Sequence, residues 1–391
     1  MRTFGKWLGR FLMLGIAALI GAFMFLPSYA EKGRNPVAEH APYPVSEAAQ
    51  TLHDSLLIGD WHADSLLWNR DLTKRGSFGH VDIPRLIEGN VGLQVFTAVT
   101  KSPKGLNYEH NDPNAFDNIK LIAFFQRWPM RTWFSIYERA IYQAEKLHRF
   151  EAAAPDSLKI IKTLSDLEGV IKRRAAGERI VGALLGIEGA HPLEGKIENL
   201  DSLEAAGYRI VALQHFFDNE LGGTLHSREN KGLTEFGRQV VAEVAKRGMV
   251  LDIAHSSQQV ARDVLEIVDM PIIVSHTGVY SHCKTVRNYP DDLMRQIVAK
   301  GGVIGIGYWS EVTCDHSPDG IAKTIKAAIG VVGDDSVSLG SDFDGSVGTA
   351  FDASELAALT DALLRAGLSD AQIRKVMGEN MLRVLRARLK D

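Results

Sequence analysis

The chain has few cysteines, no concentration of charge of one sign and no low-complexity tract. Only 2 cysteines occur in 391 residues, which excludes a small fold held together by disulfides. Cys283 and Cys314 either form one bond in an oxidising compartment or remain two small hydrophobic thiols. The formal net charge is −4 and the basic residues form no run or stripe, which argues against nucleic acid as a partner.

Long hydrophobic runs are also scarce, and the one clear case lies at the N-terminus. An unbroken apolar stretch, residues 11–26, follows three basic residues and has no polar face, which argues against a buried core helix. The small residues Ser28 and Ala30 fit a signal-peptidase site, so residues 1–30 are either a cleaved signal peptide or a membrane anchor. The basic flank predicts an exported body, either periplasmic or held at the outer face of the inner membrane by this segment alone.

The remaining chain divides into a short connector and one long alternating region. Residues 31–50 hold Pro36, Pro42 and Pro44 among mostly polar and small residues, a composition typical of a linker. From residue 51 onward, short β-rich runs alternate with longer amphipathic stretches. We predict eight strands, near residues 57–63, 91–99, 180–187, 209–214, 249–254, 271–275, 302–308 and 336–341. Eight alternating units predict a single (β/α)8 TIM-type barrel over residues 51–391.

One segment is too long for a simple crossover between strands. Residues 101–150 are rich in aromatic side chains, and we predict a helical insertion after the second strand. The insertion either covers part of the barrel mouth or packs an aromatic stripe on the barrel wall. Near the C-terminus two helices are expected, over residues 354–365 and 369–388, with Ser369 as the N-cap of the second.

Histidines and carboxylates follow six of the apolar, strand-like runs. These runs end in Trp61-His62-Ala63-Asp64, Ile187-Glu188-Gly189, Leu213-Gln214-His215, Ile253-Ala254-His255, Val274-Ser275-His276 and Gly340-Ser341-Asp342. The carboxyl ends of the strands of a parallel barrel meet at one rim, where active sites lie. Residues of metal-ligand type at that rim predict a metal centre, which usually activates water.

Five of these side chains form the predicted ligand set. His62 and Asp64 are two apart on a strand and so point to one face. Glu188 ends a buried run and needs either an arginine partner or a metal. His255 and His276 end consecutive strands and can meet on one ion. Each histidine taken alone could equally be a hydrogen-bonded core residue.

Two further residues at the rim have the chemistry of catalytic groups. His215 can donate a hydrogen bond to the oxyanion that develops on a carbonyl substrate; alternatively it is a core histidine bonded to a backbone carbonyl. Asp342 can carry a proton between the attacking water and the leaving group. Asp344 lies two residues further on and can simply hold the turn at Gly345.

Several further motifs occur in a fixed order along the chain. They are Asp60-Trp61-His62-Ala63-Asp64, Val81-Asp82-Ile83-Pro84-Arg85-Leu86, Ile187-Glu188-Gly189-Ala190-His191, Gly232-Leu233-Thr234-Glu235-Phe236-Gly237, Gly248-Met249-Val250-Leu251-Asp252-Ile253-Ala254-His255-Ser256, Val274-Ser275-His276-Thr277, Arg287-Asn288 before Pro290-Asp291-Asp292, and Gly340-Ser341-Asp342-Phe343-Asp344-Gly345. With these motifs the chain resembles the membrane (renal) dipeptidase family of zinc peptidases, within the amidohydrolase-like barrels, over roughly residues 50–388. The insertion at 101–150 matches that family poorly.

The resemblance implies two zinc ions per subunit. His62, Asp64 and Glu188 would hold one ion, and Glu188, His255 and His276 the other, so that Glu188 bridges the pair. A hydroxide shared by the two ions would attack the peptide carbonyl.

The resemblance also implies a role for three further residues. His215 would contact the scissile carbonyl, Asp342 would transfer the proton, and Arg287 would bind the free C-terminal carboxylate of a dipeptide. The expected function is therefore that of an exported, zinc-dependent dipeptidase, and homodimerisation is left open. The alternatives are another metal-dependent amide or ester hydrolase, such as an N-acyl amino acid deacylase or a lactonase, and a zinc-binding module without turnover.

Overall fold

The computed structural model describes residues 2–391, and the strands of that region form one parallel sheet. They are β1 (Ile58–Ala63), β2 (Val91–Val99), β3 (Leu158–Ile160), β4 (Val181–Glu188), β5 (Tyr208–Ala212), β6 (Val250–Asp252), β7 (Ile273–Thr277), β8 (Val303–Ile306) and β9 (Val337–Leu339). β2 pairs with both β1 and β4, which closes every strand except β3 into a barrel. The predicted (β/α)8 barrel is confirmed.

Each of the eight predicted strands overlaps one strand of the closed barrel. The additional strand, β3, pairs with the first three residues of β4 and was not predicted. Its three residues, Leu158, Lys159 and Ile160, are too few to produce a recognisable alternation. The pairing of β1 with β2 is irregular between Asp60 and Ala63, so this strand end carries a bulge rather than a regular pleat.

The helices lie outside the barrel, and most follow a strand. They are α1 (Arg2–Arg34), α2 (Glu47–Asp54), α3 (Ile83–Glu88), α4 (Ile119–Phe125), α5 (Arg131–Phe134), α6 (Ile136–Ala153), α7 (Leu164–Ala175), α8 (Asn199–Ala206), α9 (Glu235–Arg247), α10 (Gln258–Ile267), α11 (Asp291–Ala299), α12 (Ser310–Thr313), α13 (Pro318–Val332), α14 (Leu356–Arg365), α15 (Asp370–Arg374) and α16 (Asn380–Arg388).

The ends of these helices follow from local sequence signals. Thr234 accepts a hydrogen bond from the backbone of Gly237 and caps α9, and Gly248 ends that helix with a φ of 78°. Ser369 caps α15 as predicted, in a reciprocal arrangement with Gln372. The predicted helix over 369–388 is not continuous, because Lys375–Glu379 form a π-helical turn between α15 and α16.

The helical insertion after β2 is confirmed and consists of α4, α5 and α6. Buried apolar residues of α4, including Ile119 and Ala123, pack with Trp128 against Leu67 and Val99 at the mouth of the barrel. The opposite end of the barrel interior is filled by strand side chains and by α16. The packed core therefore leaves only the mouth available for a site.

The N-terminal region is one long helix followed by a docked segment. α1 contains a stretch, Arg10–Arg34, that is long and apolar enough to cross a membrane. It ends at Arg34, two residues before Pro36. Beyond it, the amide of Ala38 bonds to the carbonyl of Thr349 at 2.8 Å. Residues 31–50, predicted as a linker, thus include the end of α1 and the start of α2 and contact the barrel.

Candidate active site

All eight side chains predicted for the site meet at the mouth of the barrel. They are His62, Asp64, Glu188, His215, His255, His276, Arg287 and Asp342, and all are buried. His62, Glu188 and His276 lie within β1, β4 and β7, while the others lie in segments that follow a strand. Convergence at one rim follows from parallel strands in a closed barrel, because all their carboxyl ends point the same way.

Glu188 lies at the centre of this cluster. Its Oε1 atom lies 3.4 Å from Nε2 of His62, 3.3 Å from Nε2 of His255 and 3.7 Å from Nε2 of His276. Its Oε2 atom has no hydrogen-bond partner and lies 3.3 Å from Nε2 of His215. No arginine forms an ion pair with Glu188 among the described residues, so the metal alternative fits better than the salt-bridge alternative.

The bulge at the end of β1 brings His62 and Asp64 together. Nε2 of His62 lies 3.4 Å from Oδ1 of Asp64, and the Thr97 hydroxyl on β2 donates to the same carboxylate. Burial lowers the pKa of His62, but the carboxylates of Glu188 and Asp64 outweigh it and hold that pKa well above its usual value. A cation is therefore favoured at this point, whether a proton or a metal.

His255 and His276 face each other through unprotonated nitrogens. Nδ1 of His226 lies 2.8 Å from the carbonyl of Tyr108 and must donate, so its Nε2 accepts from Nδ1 of His255 at 2.8 Å. The Ser275 hydroxyl lies 2.8 Å from Nδ1 of His276 and can accept from it. The two Nε2 atoms then lie 2.8 Å apart with lone pairs directed at the same region, as in metal-binding imidazoles.

The electrostatics keep these two histidines neutral. Burial, followed by the charge of Arg287, holds the pKa of His255 well below its usual value. Burial and the neighbouring His62 have the same effect on the pKa of His276. Burial raises the pKa of Glu188, but His215 and His62 outweigh it and bring that pKa to about 2. An ionised carboxylate between neutral imidazoles is the donor state that a metal requires.

The donor chemistry therefore fits metal ions. Ligand atoms lie within 4.8 Å of one another in three groups: His62, Asp64 and Glu188; Glu188, His215 and His255; and His62, His276 and Asp342. Imidazole nitrogens combined with carboxylate oxygens are typical of catalytic zinc. His215 and Asp342, predicted as catalytic groups, thus lie in direct reach of the ligand cluster.

His215 contacts Glu188, and Asp342 contacts His62. Nδ1 of His215 lies 3.2 Å from the carbonyl of Lys101, so each of its ring nitrogens faces an acceptor. Oδ1 of Asp342 lies 3.9 Å from Nε2 of His62. Burial raises the pKa of Asp342 well above its usual range. His255 and Asp342 have φ values of 63° and 60°, a left-handed conformation that is uncommon outside functional sites and turns.

Arg287 lies under the mouth rather than on the surface. Nη2 donates to the carbonyl of His276 at 2.8 Å and lies 3.2 Å from Nε2 of His255, while Nε has no partner. A disulfide joins Cys283 to Cys314 and anchors the loop that carries this arginine. This pairing, which the sequence left open, is now resolved.

Asp344 has a structural role, although it does not hold the turn at Gly345, whose amide bonds to the carbonyl of Asp342. Its carboxylate accepts hydrogen bonds from the backbone of His80 at 2.7 Å and from the Ser65 hydroxyl at 2.5 Å, and it forms an ion pair with Arg70. Arg70 also pairs with Glu31, the first residue after the predicted cleavage point. The loop that contains Asp342 is therefore linked to the end of α1.

The cluster lies at the bottom of a cavity of about 500 Å³. Tyr108 and Trp309 line its lower part, and apolar residues of α4, such as Ile122, line the upper part. α1 contributes four lining residues, Leu26, Pro27, Ala30 and Arg34. Sequence patterns did not predict that α1 forms a cavity wall.

His226 also lies beside the site, and no sequence pattern indicated it. It lies in an irregular segment between β5 and α9 and follows no apolar run. The signal that identified the other histidines was therefore missing, and only its buried contact with His255 reveals its position next to the site.

Comparisons with known proteins agree with this geometry. The sequence profile of "Membrane dipeptidase (Peptidase family M19)" matches residues 46–390. Dipeptidase aclJ of Aspergillus oryzae is 28% identical over 349 residues, which cover 84% of this chain and 77% of that protein.

Solved structures share the fold. A metallopeptidase from Rhodobacter sphaeroides, liganded with a phosphinate mimic of L-Ala-D-Ala, has a TM-score of 0.70 at 22% identity and covers 85% of this chain and 99% of its own. The probable dipeptidase PvdM from Pseudomonas aeruginosa has a TM-score of 0.71 at 18% identity, covering 87% and 97%. The chain described here belongs to the membrane dipeptidase family, Peptidase family M19, and is a metallodipeptidase.

Proposed function

We propose that this chain hydrolyses dipeptides that have a free C-terminal carboxylate and that it uses two zinc ions bridged by Glu188. The observation that carries the proposal is the position of Glu188, whose Oε1 lies within 3.7 Å of three imidazole nitrogens. His62 and Asp64 would complete one site, and His255 and His276 the other. Bound zinc would acidify a water molecule and polarise the peptide carbonyl.

The residues of the chain account for the remaining steps. His215 would donate a hydrogen bond from Nε2 to the carbonyl oxygen as negative charge develops there, in the form that carries a proton on both ring nitrogens, because Nδ1 already donates to the carbonyl of Lys101. Its other ring nitrogen is held by the carbonyl of Lys101, which keeps the imidazole oriented. Asp342 would accept a proton from the attacking water and deliver it to the departing amine. Burial raises the pKa of Asp342, which increases the affinity of its carboxylate for that proton.

Arg287 would restrict the substrates to dipeptides. It is 1% exposed and retains an unpartnered Nε, so a carboxylate that reaches it would complete its hydrogen bonding. A longer peptide would present an amide at that position and would leave the buried guanidinium without a counter-charge.

The location of the enzyme is part of the same proposal. α1 would anchor the chain in the inner membrane with the barrel outside the cytoplasm, and the Cys283–Cys314 disulfide is consistent with an oxidising compartment. Homodimerisation, which the family resemblance leaves open, stays a prediction that the molecular mass of the purified chain would test.

Paired substrates test the substrate class. We expect the wild type to hydrolyse alanyl-alanine with a kcat/KM at least about 30-fold above that for alanyl-alanine amide, the equivalent of about 2 kcal/mol. Arg287→Ala should lose most of this discrimination, mainly through KM, with metal content unchanged. Equal kcat/KM values of the wild type for alanyl-alanine and alanyl-alanine amide would instead indicate a general amide hydrolase.

A further inference from the structure

A group of large apolar side chains is exposed on the helical insertion. They are Phe116, Leu121, Phe124, Met130 and Phe134, with exposed fractions of 47%, 48%, 37%, 68% and 83%. We call this group the insertion patch. The rings of Phe124 and Phe134 both pack against that of Trp133, and exposed apolar side chains grouped in one short segment mark an interaction surface.

The insertion patch is continuous with the apolar surface of α1. The ring of Phe23 lies 5.2 Å from that of Phe124 and 5.6 Å from that of Phe125. Phe23 precedes Leu26, the end of the apolar stretch, by three residues, which is about 4.5 Å along a helix axis. α4 therefore lies beside the last turn of the apolar stretch.

The segment that carries most of the insertion patch is basic, although Asp117 follows Phe116 and pairs with the buried Arg139. Residues 118–134 contain no aspartate or glutamate, and their charged side chains are Lys120, Arg127 and Arg131, all exposed. Arg131 also pairs with Glu138 and Glu145 on α6. Basic side chains beside an apolar surface are suited to the anionic headgroups of a bilayer.

The end of α1 is built into the body of the enzyme. Pro27 and Glu31 are buried, Glu31 pairs with Arg70, and Ala30 lines the cavity. Cleavage after Ala30 would remove part of the cavity wall, so the packing supports retention of α1 as an anchor.

We propose that the insertion patch enters the interfacial layer of the membrane that α1 spans, so that the cavity opens at the membrane surface. α4 links the cavity to α1: Ile119 and Ile122 line the cavity, while the ring of Phe124 packs against that of Phe23. The contact supplies a second membrane attachment and fixes the orientation of the barrel. It rests on the proposed anchoring by α1 but does not depend on the proposed hydrolysis or its substrate.

Site-directed spin labelling of the full chain tests this contact. Both native cysteines lie in the disulfide, so a single introduced cysteine can be labelled uniquely. Phe134→Cys and Met130→Cys probe the insertion patch, and Ile16→Cys probes α1. Ala176→Cys is the matched control, because Ala176 is exposed and follows α7 at the opposite end of the barrel.

The labelled chains are reconstituted in nanodiscs of phosphatidylethanolamine and phosphatidylglycerol. We expect the ratio of collision rates with oxygen and with a water-soluble nickel chelate to be several-fold higher at 134 and 130 than at 176, and highest at 16. Ratios at both 134 and 130 as low as at 176 would overturn the proposal, as would an aqueous label at 16. Strong spin–spin broadening at 134 without oxygen access would show instead that a second copy covers the patch.

Discussion

Nε2 of His226 lies 2.8 Å from Nδ1 of His255, and this contact determines which nitrogen of His255 faces Glu188. The carbonyl of Tyr108 holds the proton of His226 on Nδ1, which leaves Nε2 as an acceptor. His255 consequently carries its proton on Nδ1 and keeps Nε2 free as a ligand atom. Such outer contacts orient metal-binding imidazoles and raise their basicity.

Replacing His226 should therefore weaken metal binding without removing a ligand. We expect His226→Leu to lower zinc affinity by about 10- to 100-fold, measured by competition with a chromophoric chelator. His53→Leu is the matched control, because it replaces another buried histidine that contacts Thr360, away from the site. Unchanged zinc affinity in His226→Leu would show that the contact does not tune the ligand.

Asp342 should affect turnover rather than metal content. We expect Asp342→Asn to lower kcat by about 10²- to 10⁴-fold, the range for loss of a general acid–base group. The amide keeps the size of the side chain but cannot accept the proton from water. Zinc content, measured by elemental analysis, should match the wild type. A variant that retains full kcat would exclude the proton-transfer role.

Glu31 should make stability depend on pH. Burial, opposed by Arg70, raises the pKa of Glu31 from 4.5 to about 7. A carboxyl group whose pKa is higher in the folded than in the unfolded state stabilises the fold at pH values below its unfolded-state pKa. This contribution is lost as the pH rises through its folded-state pKa. The difference, 7 − 4.5 = 2.5 units, corresponds to about 3 kcal/mol.

Denaturant unfolding in detergent provides the measurement. Between pH 4.5 and 7 the free energy of unfolding of the wild type should fall relative to that of Glu31→Gln. The control variant Glu220→Gln, at an exposed position, should show the same dependence of the free energy of unfolding on pH as the wild type. A wild-type stability that rises relative to Glu31→Gln over this range would contradict the assignment.

The barrel and most of the clustered site residues could be predicted because apolar, strand-like runs are visible in the sequence and most site residues lie at the ends of such runs. His62, Glu188 and His276 each lie at the end of an apolar run, and parallel strands bring such ends to one rim. The register within the site could not be predicted in the same way. The bulge at β1 and the left-handed backbone at His255 depend on pairing with other strands.

Other features could not be predicted from the sequence because they depend on contacts between residues that are far apart in the chain. His226 belongs to an irregular segment that bonds to the residues after β6, through the amide of Leu225 and the carbonyl of His255. The apolar face of α1 gave no indication that Ala30 and Arg34 would line the cavity. The pairing of Cys283 with Cys314 requires the loops after β7 and β8 to be neighbours, which spacing alone does not show.

The bridging position of Glu188 is the central claim, and metal stoichiometry tests it most directly. Wild type, Asp64→Ala and Glu188→Ala are stripped with a chelator, reloaded with zinc and analysed for bound metal and dipeptide hydrolysis. We predict two zinc ions per chain in the wild type, one in Asp64→Ala and fewer than one in Glu188→Ala, with activity lost on chelation and restored by zinc. A Glu188→Ala chain that still binds two ions, or a stripped wild type that still hydrolyses dipeptides, would contradict the account.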